Sequence, residues 1–214
     1  MNKRLTITII IVFLSFGFLN ANNIHLKLGF GYKGYTLDNI SNYTTKESKY
    51  GFIGGITTEF TLSRAFAIET GALFKNYRGE VGVKYLFEET KEIGVYQAKF
   101  ETNYISIPFL FKIYFMNEET SPYLSLGVDL NYYLNSKYSF TDEKNTGLGP
   151  YKGNYKSHSL FLDIALGILA FPDTLGLEVE FHITKSFKYL YDTDDINSPN
   201  IKVNGIELVF GKRF

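Results

Sequence analysis

The stretch YISIPFLFKIYF at residues 104–115 alternates strictly between two kinds of side chain. Its odd positions are all isoleucine or phenylalanine, and its even positions mix tyrosine, serine, proline, leucine and lysine. Successive side chains of a β-strand point to opposite sides, so the stretch predicts a strand with one apolar and one mixed face. Pro108 cannot donate to a strand ladder, so we expect a bulge or an unpaired neighbouring carbonyl there.

The same two-residue alternation recurs along the rest of the chain. The predicted strands are residues 24–37, 51–62, 66–76, 104–115, 122–134, 160–170, 175–184 and 202–214. Short links follow the second, fourth and sixth strands, and long polar links follow the first, third, fifth and seventh. In an up-and-down barrel every second link lies on the same rim, which gives one rim of tight turns and one of large loops. The sequence therefore predicts an all-β fold, an eight-stranded antiparallel up-and-down barrel.

The alternation leaves two orientations of this barrel open. A secreted, lipocalin-like carrier would turn the apolar faces inward, whereas a transmembrane barrel would turn them to lipid. Eight strands enclose only a narrow interior, which the large apolar side chains of every strand would overfill. Each apolar stretch is about ten residues long, which suits a tilted strand that crosses a bilayer. We therefore predict a transmembrane β-barrel and keep the carrier as an alternative.

The first residues have the order of a secretory signal peptide. Lys3 and Arg4 precede an apolar run that ends before Asn20 and Ala21. We expect a signal peptide at residues 1–21 and a single barrel domain at residues 22–214. The chain has no cysteine, which excludes disulfides, thiol catalysis and cysteine-bound metals. Its formal net charge of +0 gives no indication of a nucleic-acid partner.

Charged residues of both signs lie on the face that is predicted to line the barrel interior. Buried charges are tolerated where they pair and accept hydrogen bonds, so we expect a structural polar network in the lumen and no open channel. His25 is expected in the lumen at the rim of short turns. The predicted network consists of Glu59, Glu69, Lys75, Lys112, Asp129, Asp163, Glu178, Glu180, His182, Glu207 and Arg213.

Glu178, Glu180 and His182 occupy alternate positions of one predicted strand and so face the same side. Carboxylates beside a histidine can bind a divalent metal or act as an acid and base pair. Strand neighbours two apart are about 7 Å apart at the backbone, however, and no second cluster accompanies them. We therefore predict no catalytic residue, no cofactor and no metal.

Residues 77–103 form the long link between the third and fourth strands. Alternation continues to residue 87 and resumes at 93, with a turn expected at 88–92. The outward positions become polar at Asn76 and Asn103, so both strands are expected to leave the bilayer at one height and continue as a hairpin. A protruding sheet edge can recruit a protein partner by strand addition; plain loop decoration is the alternative.

Several motifs together resemble one known family. YISIPFLFKIYF followed by PYLSLGVDLNYYL resembles the Tyr-x-x-Ile-Pro and Pro-Tyr-x-x-x-Gly strands of the PorT-like outer membrane barrels of Bacteroidota, and LGLEVEF and IELVFGKRF fit the same pattern. The resemblance implies a porin-like barrel in the outer membrane of a Gram-negative bacterium, and it implies no single activity. We expect a structural, binding or secretion-accessory role. Phe214 resembles the terminal signal that barrel assembly machinery recognises, so that machinery and the lipid bilayer are expected partners.

An enzyme that acts on envelope lipid is the other alternative. Outer membrane lipid A deacylases have eight strands and carry a histidine and a serine two positions apart on a lipid-exposed strand. Here His158 adjoins Ser157 and Ser159 directly, so it points away from both serines. This difference favours a protein without catalytic activity.

Overall fold

The computed structural model describes residues 23–38, 44–86, 93–115, 120–142, 158–171, 174–187 and 200–214. Each strand pairs antiparallel with the next, and the last pairs with the first to close a barrel. The prediction of an eight-stranded antiparallel barrel is confirmed. The strands are β1 (Asn23–Asp38), β2 (Thr44–Thr61), β3 (Phe66–Leu86), β4 (Ile93–Tyr114), β5 (Thr120–Asp142), β6 (His158–Ala170), β7 (Leu177–Ser186) and β8 (Asn200–Arg213).

Some predictions fall on other parts of the chain. The expected signal peptide at 1–21 and the expected turn at 88–92 lie outside the described residues. Within the described ranges, no helix is long and apolar enough to span a membrane.

Strand β7 shows which side of the barrel carries the charges. Its residues alternate between exposed and buried along the whole strand. Leu177 and Val179 are 46% and 43% exposed, whereas Glu178 and Glu180 are each 1% exposed. A soluble carrier would show the reverse arrangement, with apolar side chains inside. Because leucine, isoleucine, valine and phenylalanine cover the outer wall, this barrel has the surface of a transmembrane barrel.

Tight turns close one rim, as the short links predict. In the link between β2 and β3, the Leu62 amide donates to the Phe66 carbonyl at 2.9 Å. In the link between β6 and β7, Gly176 has a φ of 57°, and a Cβ there would lie 2.8 Å from the Arg213 carbonyl oxygen. A left-handed backbone in so close a contact requires glycine. The Phe214 amide donates to the Ile24 carbonyl at 2.8 Å and completes this rim.

Four strands continue as one sheet past the opposite rim, and β1 and β8 continue as a separate pair up to Asp38 and Asn200. Pairing between β3 and β4 extends to Leu86 and Ile93, so the two arms of the predicted 77–103 hairpin do pair. Strand β2 follows β3 up to its Thr44 end, and β5 follows β4 up to its Asp142 end. We call the part of β2–β5 beyond the rim the extension. The expected hairpin is present, and it forms the middle of a four-stranded sheet.

The open edges of the extension belong to β2 and β5. Pairing of β5 with β6 stops at Tyr132 and His158, and pairing of β1 with β2 stops at Tyr32 and Tyr50. Beyond these levels the described residues of β2 and β5 have a partner strand on one side only. The hairpin prediction missed the two outer strands because their apolar alternation ends near the rim.

Strands β3 and β4 become polar at matching heights on the outside of the wall. Asn76 lies opposite Asn103 in the ladder, and its amide donates to the Asn103 side-chain oxygen at 2.5 Å. One step further out, Arg78 Nη2 lies 3.3 Å from Glu101 Oε1. The two strands thus leave the apolar belt together, as their sequences predict.

The proline of β4 interrupts one ladder without shifting it. Against β3, the pairs of Ile107 and Pro108 are missing, while the register is the same on either side. Against β5, Pro108 remains opposite Asp129, and the register shift lies between Asn103 and Tyr104 instead. Of the two features expected at Pro108, the bulge is absent, and the two missing pairs agree with the other, an unpaired neighbour. The gap in the ladder fits the missing amide hydrogen of proline.

Candidate functional site

The barrel interior holds most of the charged residues that the sequence places there. Arg213 lies at the rim and is partly exposed. The other predicted lumen residues are buried, namely Glu59, Glu69, Lys75, Lys112, Asp129, Asp163, Glu178, Glu180, His182 and Glu207. They form two groups along the barrel axis, which we call the turn-side network and the extension-side network.

Lys112 is the centre of the turn-side network. Its Nζ atom lies 2.5 Å from Glu69 Oε2 and 2.9 Å from Glu178 Oε1. Glu180 Oε1 at 3.4 Å and Glu59 Oε2 at 3.5 Å complete the shell. The side chain has no exposure to solvent. A buried ammonium is stabilised when several carboxylates surround it, so Lys112 connects strands β2, β3 and β7 across the lumen.

Lys27 and Tyr123 complete the contacts around these carboxylates. Lys27 Nζ lies 2.5 Å from Glu69 Oε1 and 2.7 Å from Glu180 Oε2. The Tyr123 hydroxyl lies 2.9 Å from Glu178 Oε1 and 2.7 Å from Glu180 Oε1. The ring of Tyr123 occupies the space where Gly167 has no side chain. Two lysines and one tyrosine, each from a different strand, thus share the carboxylates of Glu69, Glu178 and Glu180.

His25 lies at the edge of the turn-side network. Its Nδ1 atom is 2.8 Å from Glu178 Oε2, and its Nε2 atom is 3.9 Å from Glu59 Oε2. Nε2 has no hydrogen-bond partner although it is fully buried. The Tyr114 hydroxyl donates to Glu59 Oε2 at 2.6 Å. His25 is therefore a lumen residue near the rim of tight turns, as its position on the mixed face of β1 predicts.

His182 links the two networks. Its Nδ1 atom lies 2.9 Å from Asp163 Oδ1, and its Nε2 atom lies 3.3 Å from Glu180 Oε2. Both ring nitrogens therefore face carboxylates. The alternate row Glu178, Glu180 and His182 shares one face, as the sequence predicts, but its histidine has no nitrogen left for a metal ion.

The extension-side network is smaller and more aromatic. Lys75 Nζ lies 2.9 Å from Asp129 Oδ2 and 2.8 Å from Glu207 Oε2. The Tyr77 hydroxyl donates to Glu207 Oε1 at 2.6 Å. The Tyr77 ring stacks on the Tyr104 ring with a centroid distance of 5.9 Å. One lysine with two carboxylates thus lies directly below a layer of rings.

Lys33 lies within that layer of rings. Its Nζ atom is 4.1 Å from the Tyr77 ring centroid, 5.0 Å from the Tyr104 centroid and 4.7 Å from the Phe161 centroid. It also donates to the Tyr104 hydroxyl, and Glu207 Oε1 lies 3.7 Å away. Aromatic faces attract cations, so the rings and the ammonium together fill the lumen at this level.

The prediction of the lumen network omitted several residues that contribute to it, among them two lysines and two tyrosines. Lys27, Lys33, Tyr77 and Tyr123 are all buried. Each lies at an inward-facing position of its strand, so the alternation could have identified them. Their contacts could not have been identified in this way, because alternation gives the facing of a residue and not its neighbours across the lumen.

The histidine and serine pair of lipid A deacylases has no counterpart at His158. The side chain of His158 is exposed, whereas Ser159 is buried and lies 2.8 Å from the Tyr133 hydroxyl. The two residues point to opposite sides of the wall. In the described strands, no serine lies two positions from a histidine.

Comparison with known proteins places this geometry in a family. The family model described as outer membrane protein beta-barrel domain matches residues 16–191. The chain is similar to Ail of Yersinia pestis, solved with the heparin analogue sucrose octasulfate, at 18% identity over 90% of this chain and 98% of that chain, with a TM-score of 0.47. The chain is also similar to OprG of Pseudomonas aeruginosa, at 14% identity over 91% of this chain and 97% of that chain, with a TM-score of 0.44. The outer membrane enzyme PagL is similar at 10% identity over 88% of this chain and 97% of that chain, with a TM-score of 0.42.

A comparison with curated protein sequences gives no match. The family model nevertheless covers most of the chain, and the apolar outer wall agrees with it. The chain belongs to the outer membrane protein β-barrel domain family and lies in the outer membrane of a Gram-negative bacterium.

Proposed function

We propose that this barrel is a non-catalytic membrane anchor that presents the extension at the cell surface for binding a protein partner. The observation that carries the proposal is the continuation of β2–β5 as one sheet beyond the levels at which β2 stops pairing with β1 and β5 stops pairing with β6. Outer membrane barrels have short periplasmic turns and long extracellular segments. By this rule the extension lies outside the cell and the tight turns face the periplasm.

The filled lumen supports an anchoring role over a channel role. Buried side chains of the two networks occupy the interior on the turn side and in the middle. Lys33 with its surrounding rings occupies the level below the extension. An eight-stranded barrel leaves no water-filled path once its interior side chains are packed. Function is then expected from surfaces outside the bilayer.

The edge of β5 offers the simplest mode of binding. Residues 135–142 pair with β4, and the pairing of β5 with β6 has already ended at Tyr132. An unpaired strand edge exposes backbone donors and acceptors that an extended peptide can satisfy. The partner expected at residues 77–103 is thus better placed at the outer strands of the same sheet.

The absence of natural cysteine makes a clean labelling test possible. Single cysteines at Ser139, in the extension, and at Ser63, in the β2–β3 turn, give a matched pair of serine substitutions. A membrane-impermeant maleimide on intact cells is expected to label Ser139→Cys and not Ser63→Cys. The reverse pattern would overturn the proposed orientation.

The binding role has its own test with the same sites. A photo-crosslinker attached at position 139 on living cells is expected to capture a discrete protein, and a crosslinker at position 63 is not expected to capture the same protein. A third crosslinker at position 46 probes the β2 edge. Capture of the same proteins from positions 139 and 63 would contradict the proposed binding surface. Absence of capture from both position 139 and position 46 would contradict it as well.

The resemblance to PorT-like barrels supports a secretion-accessory role as the finer proposal. Export by a signal peptide at residues 1–21 and assembly through Phe214 belong to the same proposal. Phe214 is 70% exposed at the turn-side rim, where assembly machinery could contact it. Removal of Phe214 is expected to reduce the folded barrel in outer membrane fractions, whereas Phe171→Ala at the same rim is the matched control. Equal yields of both variants would contradict recognition of the terminal residue.

A further inference from the structure

Strand β7 carries a lysine in its row of outward-facing side chains. With the residue that follows the strand, the row consists of Leu177, Val179, Phe181, Ile183, Lys185 and Phe187. A strand rise of about 3.3 Å and a tilt of about 40° place Lys185 about 20 Å above Leu177, and the apolar band of outer membrane barrels is about 25 Å tall. Lys185 is exposed, so its ammonium group lies where the acyl chains of the bilayer end and the headgroups begin.

Lys185 has no acid beside it on the outer wall. It lies opposite Asn204 of β8 in one ladder and opposite Leu162 of β6 in the other. Within the described residues of β6, β7 and β8, no aspartate or glutamate occupies an outward position. On the opposite flank, by contrast, the outward Arg78 is paired with Glu101. An uncompensated charge near a bilayer favours an anion from outside the chain.

The outer wall next to Lys185 offers an amide, an open position and two rings. Asn204 is exposed, and Gly34 lies opposite it on β1 without a side chain. Tyr32 and Tyr50, on β1 and β2, are 45% and 77% exposed, and their ring centroids are 5.9 Å apart. We call Tyr32, Gly34, Tyr50, Lys185 and Asn204 the rim patch. Its four strands span about 15 Å at a strand spacing of about 4.8 Å.

A sugar phosphate has the chemistry that complements the rim patch. An ammonium and an amide can donate to phosphate oxygens. The flat apolar faces of tyrosine rings can pack on the C–H face of a sugar, with their hydroxyls free to hydrogen bond. Directly below the patch, the lipid-facing side chains of Ile183 and Ile206 are 53% and 47% exposed. A molecule that carries both a sugar phosphate and acyl chains therefore fits the whole surface, whereas a soluble anion would use only its upper part.

We propose that the rim patch binds the phosphorylated sugar headgroup of a glycolipid in the outer leaflet. Lys185 and Asn204 hold a phosphate group, and Tyr32 and Tyr50 contact the sugar. The inference rests on the proposed orientation, which puts this rim in the outer leaflet. Labelling of cysteines at positions 139 and 63 tests that orientation, while the binding test below uses purified barrel and does not require it. The two can therefore fail separately.

The test measures which glycolipids remain bound to the purified barrel. Barrel in a detergent without phosphate or sugar groups is mixed with bisphosphorylated lipid A or with the same lipid A after enzymatic dephosphorylation, and native mass spectrometry counts the bound molecules. We expect about one phosphorylated molecule per barrel and binding about tenfold weaker for the dephosphorylated lipid, because a charge-assisted hydrogen bond is lost. Lys185→Gln is expected to weaken binding of the phosphorylated lipid about tenfold, whereas Lys185→Arg keeps it.

Two further variants separate the phosphate contact from the sugar contact and from charge alone. Tyr50→Ala is expected to weaken binding of both lipids about fivefold, because its ring contacts the sugar and not the phosphate. Lys212→Gln removes a lysine at the turn-side rim, whose ammonium donates to the Leu175 carbonyl, and it is expected to bind as the natural protein does. Heat-modifiable gel mobility verifies that each variant is folded.

The proposal is overturned if the natural barrel binds the two lipids equally. It is equally overturned if folded Lys185→Gln binds the phosphorylated lipid as the natural barrel does. An equal loss in Lys212→Gln would also overturn it, because binding would then follow net charge and not the rim patch.

Discussion

Two buried lysines, one from each network of the lumen, are held in different ways. On the turn side, Lys112 lies within 3.5 Å of four carboxylates. On the extension side, Lys33 lies against three rings, and the carboxylate of Glu207 is 3.7 Å away. The comparison teaches that ion pairs hold Lys112, as they hold Lys75 on the extension side, while aromatic packing surrounds Lys33 below the extension. Substitutions of equal size should therefore have unequal effects at Lys112 and Lys33.

Lys112→Met is expected to have the largest effect. Methionine has similar volume but leaves the surrounding carboxylates without their shared ammonium. Breaking a buried ion pair by removing one partner costs about 3–5 kcal/mol. Urea titration of the barrel in lipid vesicles measures the loss in the free energy of unfolding. A loss below about 1 kcal/mol would show that the turn-side carboxylates do not depend on this lysine.

Gly167→Ala is expected to have the next largest effect, because the new Cβ would overlap the Tyr123 ring. Overpacking a filled interior typically costs about 1–3 kcal/mol. Displacement of the ring also moves its hydroxyl away from Glu178 and Glu180. The same urea titration measures the loss, and Ala165→Gly on the same strand face gives a control without overlap. Equal stability of Gly167→Ala and the natural protein would contradict the close packing of Tyr123.

Strands that remain inside the bilayer were predicted well from the sequence. Residues 160–170 were expected as a strand, and β6 spans His158–Ala170 with alternating burial. The bilayer imposes an apolar outer face on each spanning strand, so the two-residue period is strong there. Outside the bilayer this requirement ends. Strand β2 was therefore expected from residue 51, although it begins at Thr44.

The partners inside the lumen could not be predicted for a different reason. Lys27 and Glu180 form an ion pair although they are 153 positions apart in the chain. Which residues meet across a barrel depends on the stagger between all of its strands. Alternation fixes only the facing of each side chain. The sequence therefore identified Glu180 as a lumen residue without identifying Lys27 as its partner.

Lys33→Met is expected to have a smaller effect than either turn-side change. The methionine side chain keeps contact with the rings of Tyr77, Tyr104 and Phe161, so the main loss is the cation's attraction to the rings. Such an attraction is worth about 0.5–2 kcal/mol. The measurement is urea unfolding under the same lipid conditions. A loss as large as that of Lys112→Met would remove the distinction between the two networks.

Arg78→Ala is expected to have the smallest effect. Its ion pair with Glu101 is 3.3 Å long, and the Arg78 side chain is 67% exposed. Exposed ion pairs contribute about 0–1 kcal/mol, because water and salt screen them. The unfolding free energy of Arg78→Ala is expected to differ little from that of the natural protein. At high salt, which screens the ion pair, this difference is expected to disappear. A loss above about 2 kcal/mol would mean that this pair is shielded from water.

A double-mutant cycle compares the two networks most directly. One cycle combines Lys112→Met with Glu178→Gln, and the other combines Lys33→Met with Glu207→Gln, with unfolding free energies measured in the same lipid. Close buried charge pairs give coupling energies of about 1.5 kcal/mol or more. We predict a coupling of that size for Lys112 and Glu178 and under about 0.5 kcal/mol for Lys33 and Glu207. Equal couplings, or a larger one for Lys33 and Glu207, would contradict the account.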